Sequence, residues 1–184
     1  MTRAEVFTGT GPTSGTAMEI KLGASKDGKL TAVKARLTFE AGAFPGSPVA
    51  GGSRTMLGPY VIPNAYVEGL DVVTNVQKSS AYRAPGSPAS AFAIETAIDE
   101  IAEKLDIDPI EFRLLNAAEE GTRQPANGPV YRKIGLVETL KAAKNHPHYT
   151  ADITGTVRGR GIASGAWFNG SGPASAVASV NADG

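Results

Sequence analysis

The sequence predicts an α+β fold: an antiparallel or mixed sheet of hairpins packed with two or three helices. Three observations predict it. Apolar and polar residues alternate on both sides of Asp27-Gly28, a strong hairpin turn pair. Behind Ser87-Pro88, the residues Ile94, Ile98, Ile101 and Leu105 recur at the spacing of one buried helical stripe. Asp108-Pro109 then opens a second helix, and Glu111 stands where a capping box places its acid.

The elements follow in chain order. In the first strand Met18, Ile20 and Leu22 share one face, with Glu19 and Lys21 on the other. The return strand places Val33, Ala35, Leu37 and Phe39 against Lys34, Arg36, Thr38 and Glu40. Residues 41–58 are rich in Gly, Pro and Ser, show no period, and read as a long loop over a ligand site. Residues 66–76 read as a strand through Val67, Leu70, Val72, Val73 and Val76. Ser87 is the expected N-cap of the long helix and Pro88 its first helical residue. Glu95, Asp99, Glu100 and Glu103 are expected on its solvated face. Phe112 and Leu115 are the expected buried face of the next helix, and residues 136–143 form a third, ending near Pro147. Residues 157–168 and 174–180 read as strands. The last runs into Asp183-Gly184 with no return strand, so the chain is expected to be a fragment.

Composition narrows the function classes. Among 184 residues, Lys+Arg and Asp+Glu are both 18, which argues against a general nucleic-acid or membrane-surface binder. No apolar run is long enough to span a membrane, and the first residues lack the apolar core of a signal peptide. With no cysteine, this segment holds no disulfide, Cys-ligated zinc or iron–sulfur cluster of its own. His146 and His148 flank Pro147 without an obvious third ligand and read as a surface loop. Gly9 to Gly15 lacks the Gly-Lys-Ser/Thr ending of a phosphate loop. Trp167-Phe168 reads as core packing ahead of a turn, or as a pocket wall.

Residues 82–116 are the most informative stretch. Tyr82-Arg83-Ala84-Pro85-Gly86 feeds directly into the capped helix. A helix N-terminus favours anions and oxo groups, and Arg83 adds a permanent cation with a fixed fork of donors. Read locally, Arg83 either helps cradle an oxygen-rich anion, caps a carbonyl or pairs with a carboxylate.

This stretch, through Asp108-Pro109-Ile110-Glu111-Phe112-Arg113-Leu114-Leu115-Asn116, resembles the xanthine dehydrogenase/aldehyde oxidase family. The similarity is to the molybdopterin-binding large subunit of these molybdenum hydroxylases, a group that includes carbon monoxide dehydrogenase. Other pieces follow in the same order: Met1 to Glu5, Lys26-Asp27-Gly28, Glu40 to Phe44, Pro59-Tyr60-Val61-Ile62-Pro63-Asn64, Arg158 to Ala163, and Val180 to Gly184. The resemblance implies an aldehyde oxidase-type fold, with residues 1–150 as part of a first molybdopterin-binding domain and 151–184 as the start of a second. It implies oxidative hydroxylation of an aldehyde or N-heterocycle, or CO oxidation, with water as oxygen source.

It also implies molybdopterin, in its cytosine dinucleotide form, with Mo. Iron–sulfur clusters and FAD would sit on a small and a medium partner subunit or on other domains of a hetero-oligomer. Arg83 falls on the motif's arginine, whose backbone N–H approaches an oxo ligand or the pterin dithiolene in the family; Tyr82 and Ala84 flank it. Pro85 stands where purine-oxidising members carry an aromatic, which implies a different substrate. Arg54 and Ser164 fall near substrate-lining positions of the family. The family's glycine-rich Phe-Gly-Gly loop, Gly-Gln-Gly loop and catalytic Glu have no counterpart in these residues, so no catalytic base is expected in this segment. The expected location is cytoplasmic, with a periplasmic one as alternative. The competing reading is a non-catalytic α+β module that binds an anion or a partner.

Overall fold

The computed structural model describes residues 1–167 and 172–183. The predicted hairpin is present as β1 (Thr16–Ala24) and β2 (Leu30–Gly42), antiparallel, with Met18 opposite Leu37 and Ile20 opposite Ala35. Its inward residues Val33, Ala35, Leu37 and Phe39 are all buried. β3 (Asn64–Val73) pairs parallel to β2, so the sheet is mixed, in the order β1-β2-β3. A parallel pair needs a crossover. Residues 43–63 supply it, and α2 (Val49–Thr55) lies inside the stretch expected to be plain loop. Val76 falls beyond the strand and is exposed.

The long helix is α3 (Ser87–Lys104), laid on the sheet with Ile94 and Ile98 in the core and Ile101 and Leu105 packed at its margin. α4 (Pro109–Asn116) begins as predicted: the Asp108 carboxylate accepts from the amides of Ile110 at 2.8 Å and Glu111 at 3.1 Å. Glu111 itself pairs with Lys144 of α5 (Leu136–Lys144). Two further short helices are α1 (Arg3–Gly9) and α6 (Pro147–Thr150). α1, α2 and α6 hold only 7, 7 and 4 residues, too few turns to print a helical period. Thr2 and Glu5 close a reciprocal capping box on α1. His146 caps α6, its Nδ1 accepting from the His148 amide at 3.1 Å, and no metal-holding cluster occurs among the described residues.

Four further expectations change. The N-cap of α3 is Gly86, not Ser87, because the Ser87 hydroxyl donates to the carbonyl of Ala166 at 3.0 Å instead of capping its own helix. Glu95 is not on a solvated face; it is buried. Leu115 is exposed, and the buried face of α4 is Ile110, Phe112, Arg113 and Asn116. Among the described residues of 157–168 and 174–180 there is no strand, since alternation makes a segment extended but a ladder needs a partner. Phe168 and Gly184 lie outside the described residues.

The hairpin turn is locked to α4. The Asn116 side chain donates to the carbonyls of Gly28 and Phe112, both at 2.9 Å, and accepts from the Leu30 amide at 2.8 Å. Gly28 has φ 87°, and a Cβ there would stand 2.6 Å from Ile107 Cδ1. Gly28→Ala is therefore expected to cost about 1–3 kcal/mol, chiefly through strain at this left-handed φ, since the Ile107 methyl can move aside. Urea denaturation of the two proteins measures it.

Candidate functional site

Two close backbone approaches deliver the chain to the Tyr82–Gly86 turn. Gly42 ends β2 with φ 76°, and a Cβ there would lie 2.0 Å from the carbonyl oxygen of Gln77. Only a hydrogen fits, so residues 74–80 can lie along the end of β2, bonded by Thr74 N to Gly42 O at 3.0 Å and Ser79 N to Ala41 O at 2.9 Å. The loop after α1 closes on the same segment, with Ser80 N donating to Pro12 O at 2.9 Å.

The turn that follows has an unusual backbone. Arg83 and Ala84 sit at φ 28° and 51°, left-handed without being glycine, and Gly86 follows at φ 82°. Such conformations occur in a few per cent of non-glycine residues and cost on the order of 1–3 kcal/mol each unless the surroundings impose them. Here α2 imposes them. A Cβ on Gly51 would come within 2.6 Å of Pro85 O, and one on Gly86 within 2.3 Å of Pro48 O. The turn is clamped between α2 and the start of α3, and its carbonyls are spent on α3: Ala84 O accepts from Ser87 N at 2.9 Å and Gly86 O from Ser90 N at 3.2 Å. Tyr82 and Arg83 remain exposed, and Ala84 and Pro85 are half-buried. A tight left-handed turn with its amides available and a guanidinium beside it is a cradle for oxygen atoms. The residues present therefore fit an anionic, oxygen-rich group such as a pterin phosphate or a metal oxo group.

The other predicted residues lie beside the turn rather than in it, Arg54 on α2 and Ser164 against Glu95, about two turns down α3. Arg54 stands exposed in the last turn of α2, the helix that clamps the turn. Ser164 is half-buried on α3, its amide donating to Glu95 Oε2 at 2.7 Å. A Cβ on Gly58, just past α2, would stand 2.6 Å from Ala166 Cβ. A separate groove of about 650 Å³, lined by Asn64, Tyr66, Arg123 and Asn127 among others, includes none of the predicted site residues.

Sequence reasoning missed the cluster beneath. Glu95 Oε2 accepts from Arg113 Nε at 2.9 Å and Nη2 at 2.8 Å, while Glu95 Oε1 accepts from the Tyr60 hydroxyl. Arg113 is 0% exposed and also reaches Asp99 Oδ1 at 2.8 Å and Pro109 O at 3.1 Å. Burial, then the neighbouring Glu95, pushes the Tyr60 hydroxyl far above its ordinary range, so it stays a donor. Burial opposes the charge on Arg113, and Tyr60 and Glu95 outweigh it, raising its pKa. One signal was available: Glu95 lies beside Ile94 and three residues before Ile98, on the flank of the buried stripe.

Residues 1–117 match the molybdopterin cofactor-binding domain family. The chain belongs to that family. This molybdopterin cofactor-binding chain is 35% identical over 130 residues to the nicotinate dehydrogenase large molybdopterin subunit of Eubacterium barkeri, covering 69% of the chain and 31% of that protein. It is 33% identical over 186 residues to an aldehyde oxidoreductase of Megalodesulfovibrio gigas, covering 95% of the chain and 20% of that protein. The solved aldehyde oxidoreductase of Desulfovibrio gigas superposes with a TM-score of 0.67 at 32% identity, over 73% of this chain and 15% of that one. The molybdopterin cofactor-binding chain thus spans less than a third of the length of these relatives. The α+β fold expected from the sequence is the fold these relatives share.

Two outcomes follow from the buried cluster. Glu95→Ala, which strands Arg113, is expected to cost about 3–5 kcal/mol, whereas Glu95→Leu combined with Arg113→Met costs less than either single change. A double-mutant cycle by chemical denaturation decides it. Because the folded pKa of Tyr60 is raised, its contribution is complete below about pH 10, the unfolded value, and is lost as pH rises above it. Stability measured between pH 9 and 11 should therefore fall less steeply in Tyr60→Phe than in the parent.

Proposed function

We propose that this chain is part of the catalytic subunit of a molybdenum hydroxylase, and that it forms one wall of the cofactor site. The reaction proposed is oxidative hydroxylation of an aldehyde or N-heterocycle, with water as oxygen source. The observation that carries the reading is the clamped left-handed turn at Arg83, Ala84 and Gly86, standing at the head of α3 within the matched family region. When bound, the molybdenum cofactor supplies the two-electron oxidation and the oxygen transfer.

This chain's residues supply binding and orientation. The Arg83 guanidinium and the amides of Arg83 and Ala84 would hold cofactor oxygens, with Tyr82 beside them. The backbone donors are fixed before the ligand arrives, which is how a polar site gains most from few contacts. Pro85, Arg54 and Ser164 would face the substrate. Pro85 offers no aromatic surface to stack on a purine, and the relatives' names support an aldehyde or an N-heterocycle such as nicotinate.

The cytosine dinucleotide form of the cofactor belongs to the same proposal. So do iron–sulfur and FAD partner subunits in a hetero-oligomer, and a cytoplasmic location. The domain division proposed is 1–150 and 151–184. It is supported by the last helix ending at Thr150, after which the described residues form neither helix nor strand.

Arg83→Gly permits the left-handed backbone and removes the cationic side chain. In the full-length subunit it is expected to lower molybdenum retention by about tenfold or more, read by elemental analysis after gel filtration. Full molybdenum content with unchanged kcat/KM would sink the role given to Arg83.

A further inference from the structure

The segment carrying Ser164 forms no ladder and no helix, yet it is held at two points on one rigid element. At one end the Ser164 amide donates to Glu95 Oε2 at 2.7 Å. At the other the Ala166 carbonyl accepts from the Ser87 hydroxyl at 3.0 Å. Ser87 and Glu95 stand about two turns apart on α3, roughly 12 Å along its axis. An extended run from the Ser164 amide to the Ala166 carbonyl covers about 10 Å. The segment therefore runs along α3 toward its N-terminus, and the spacing of the two anchors matches the chain between them.

Both anchors are themselves immobilised. Glu95 is gripped by Arg113 and Tyr60, and both its oxygens are occupied. Ser87 is buried and its amide is bonded to Ala84, inside the left-handed turn. Gly58 then sets the depth, since a Cβ there would meet the Ala166 side chain at 2.6 Å. One helix thus carries the Arg83 turn at its head and the Ser164 segment along its first turns.

We propose that Glu95 and Ser87 are positioning residues: they hold residues 164–166 in register along α3 and thereby fix the substrate-facing segment relative to the cofactor-facing turn. This rests on the reading of Ser164 as substrate-lining. The charge on Glu95 suits the task, because an amide bonded to a buried, already paired carboxylate is held more firmly than one bonded to a neutral acceptor. Ser87 suits it because a hydroxyl freed from capping can serve a distant carbonyl.

The test uses Ser87→Ala and Ser87→Thr in the full-length subunit, because removing Glu95 strands a buried arginine and risks the fold. Hydrogen exchange at the amides of residues 164–167 is expected to rise about tenfold in Ser87→Ala and to return toward the parent in Ser87→Thr. With benzaldehyde and with nicotinate as probes, KM for the one that is turned over rises severalfold in Ser87→Ala, while kcat and molybdenum content hold. Unchanged exchange overturns the anchor itself. Faster exchange with unchanged KM overturns the positioning role and leaves a purely structural contact. A parent subunit without molybdenum defeats the hydroxylase reading instead, and the exchange comparison still decides the anchor.

Discussion

The buried pair of Glu95 and Arg113 is the constraint on which the rest of the structure depends. It joins α3 to α4, takes in Tyr60 from the lead-in to β3, and receives the backbone of Ser164 from far along the chain. A buried ion pair is poor evidence of added stability, because desolvation offsets most of the attraction. Its value here is geometric. Every donor on the Arg113 side and every acceptor on Glu95 has one satisfactory arrangement, so four segments are forced into a single relative placement. Replacing the pair with apolar side chains preserves the burial and discards that selection.

Glycine does the complementary work at the site itself. At Gly42, Gly51 and Gly86 another stretch of backbone occupies the space a Cβ would need. These contacts press residues 74–86 against β2 and α2, and the pressure holds Arg83 and Ala84 in a conformation they would not adopt alone. The turn is consequently a run of backbone held by packing, with the exposed Arg83 side chain upon it.

Much of this was legible in residue order. The β1–β2 hairpin, the Ile94 and Ile98 stripe and the Asp108 cap all emerged where read, because each depends on neighbours a few positions away. The resemblance of residues 82–116 to the molybdenum hydroxylases was legible too, and the family match supports it. α2 was not, because seven residues with two glycines carry no helical signature and the helix is held by its contacts with the turn. Glu95 looked like surface, since its partners lie 18 and 35 positions away and no periodicity reports them. Leu115 looked buried until Asn116 proved to be the residue the hairpin needs.

By itself, the sequence determined the local conformations: where strands alternate, where helices begin, and which loop precedes the longest helix. It determined these because capping, turn chemistry and apolar period act over a few bonds. Only the tertiary structure decided that β3 runs parallel to β2, that Arg83 and Ala84 turn left-handed, and that Ser164 rests on Glu95. Those outcomes depend on which distant segments share a desolvated space. That is settled by packing and by the need to pair every buried charge, and neither is written in any short stretch of residues.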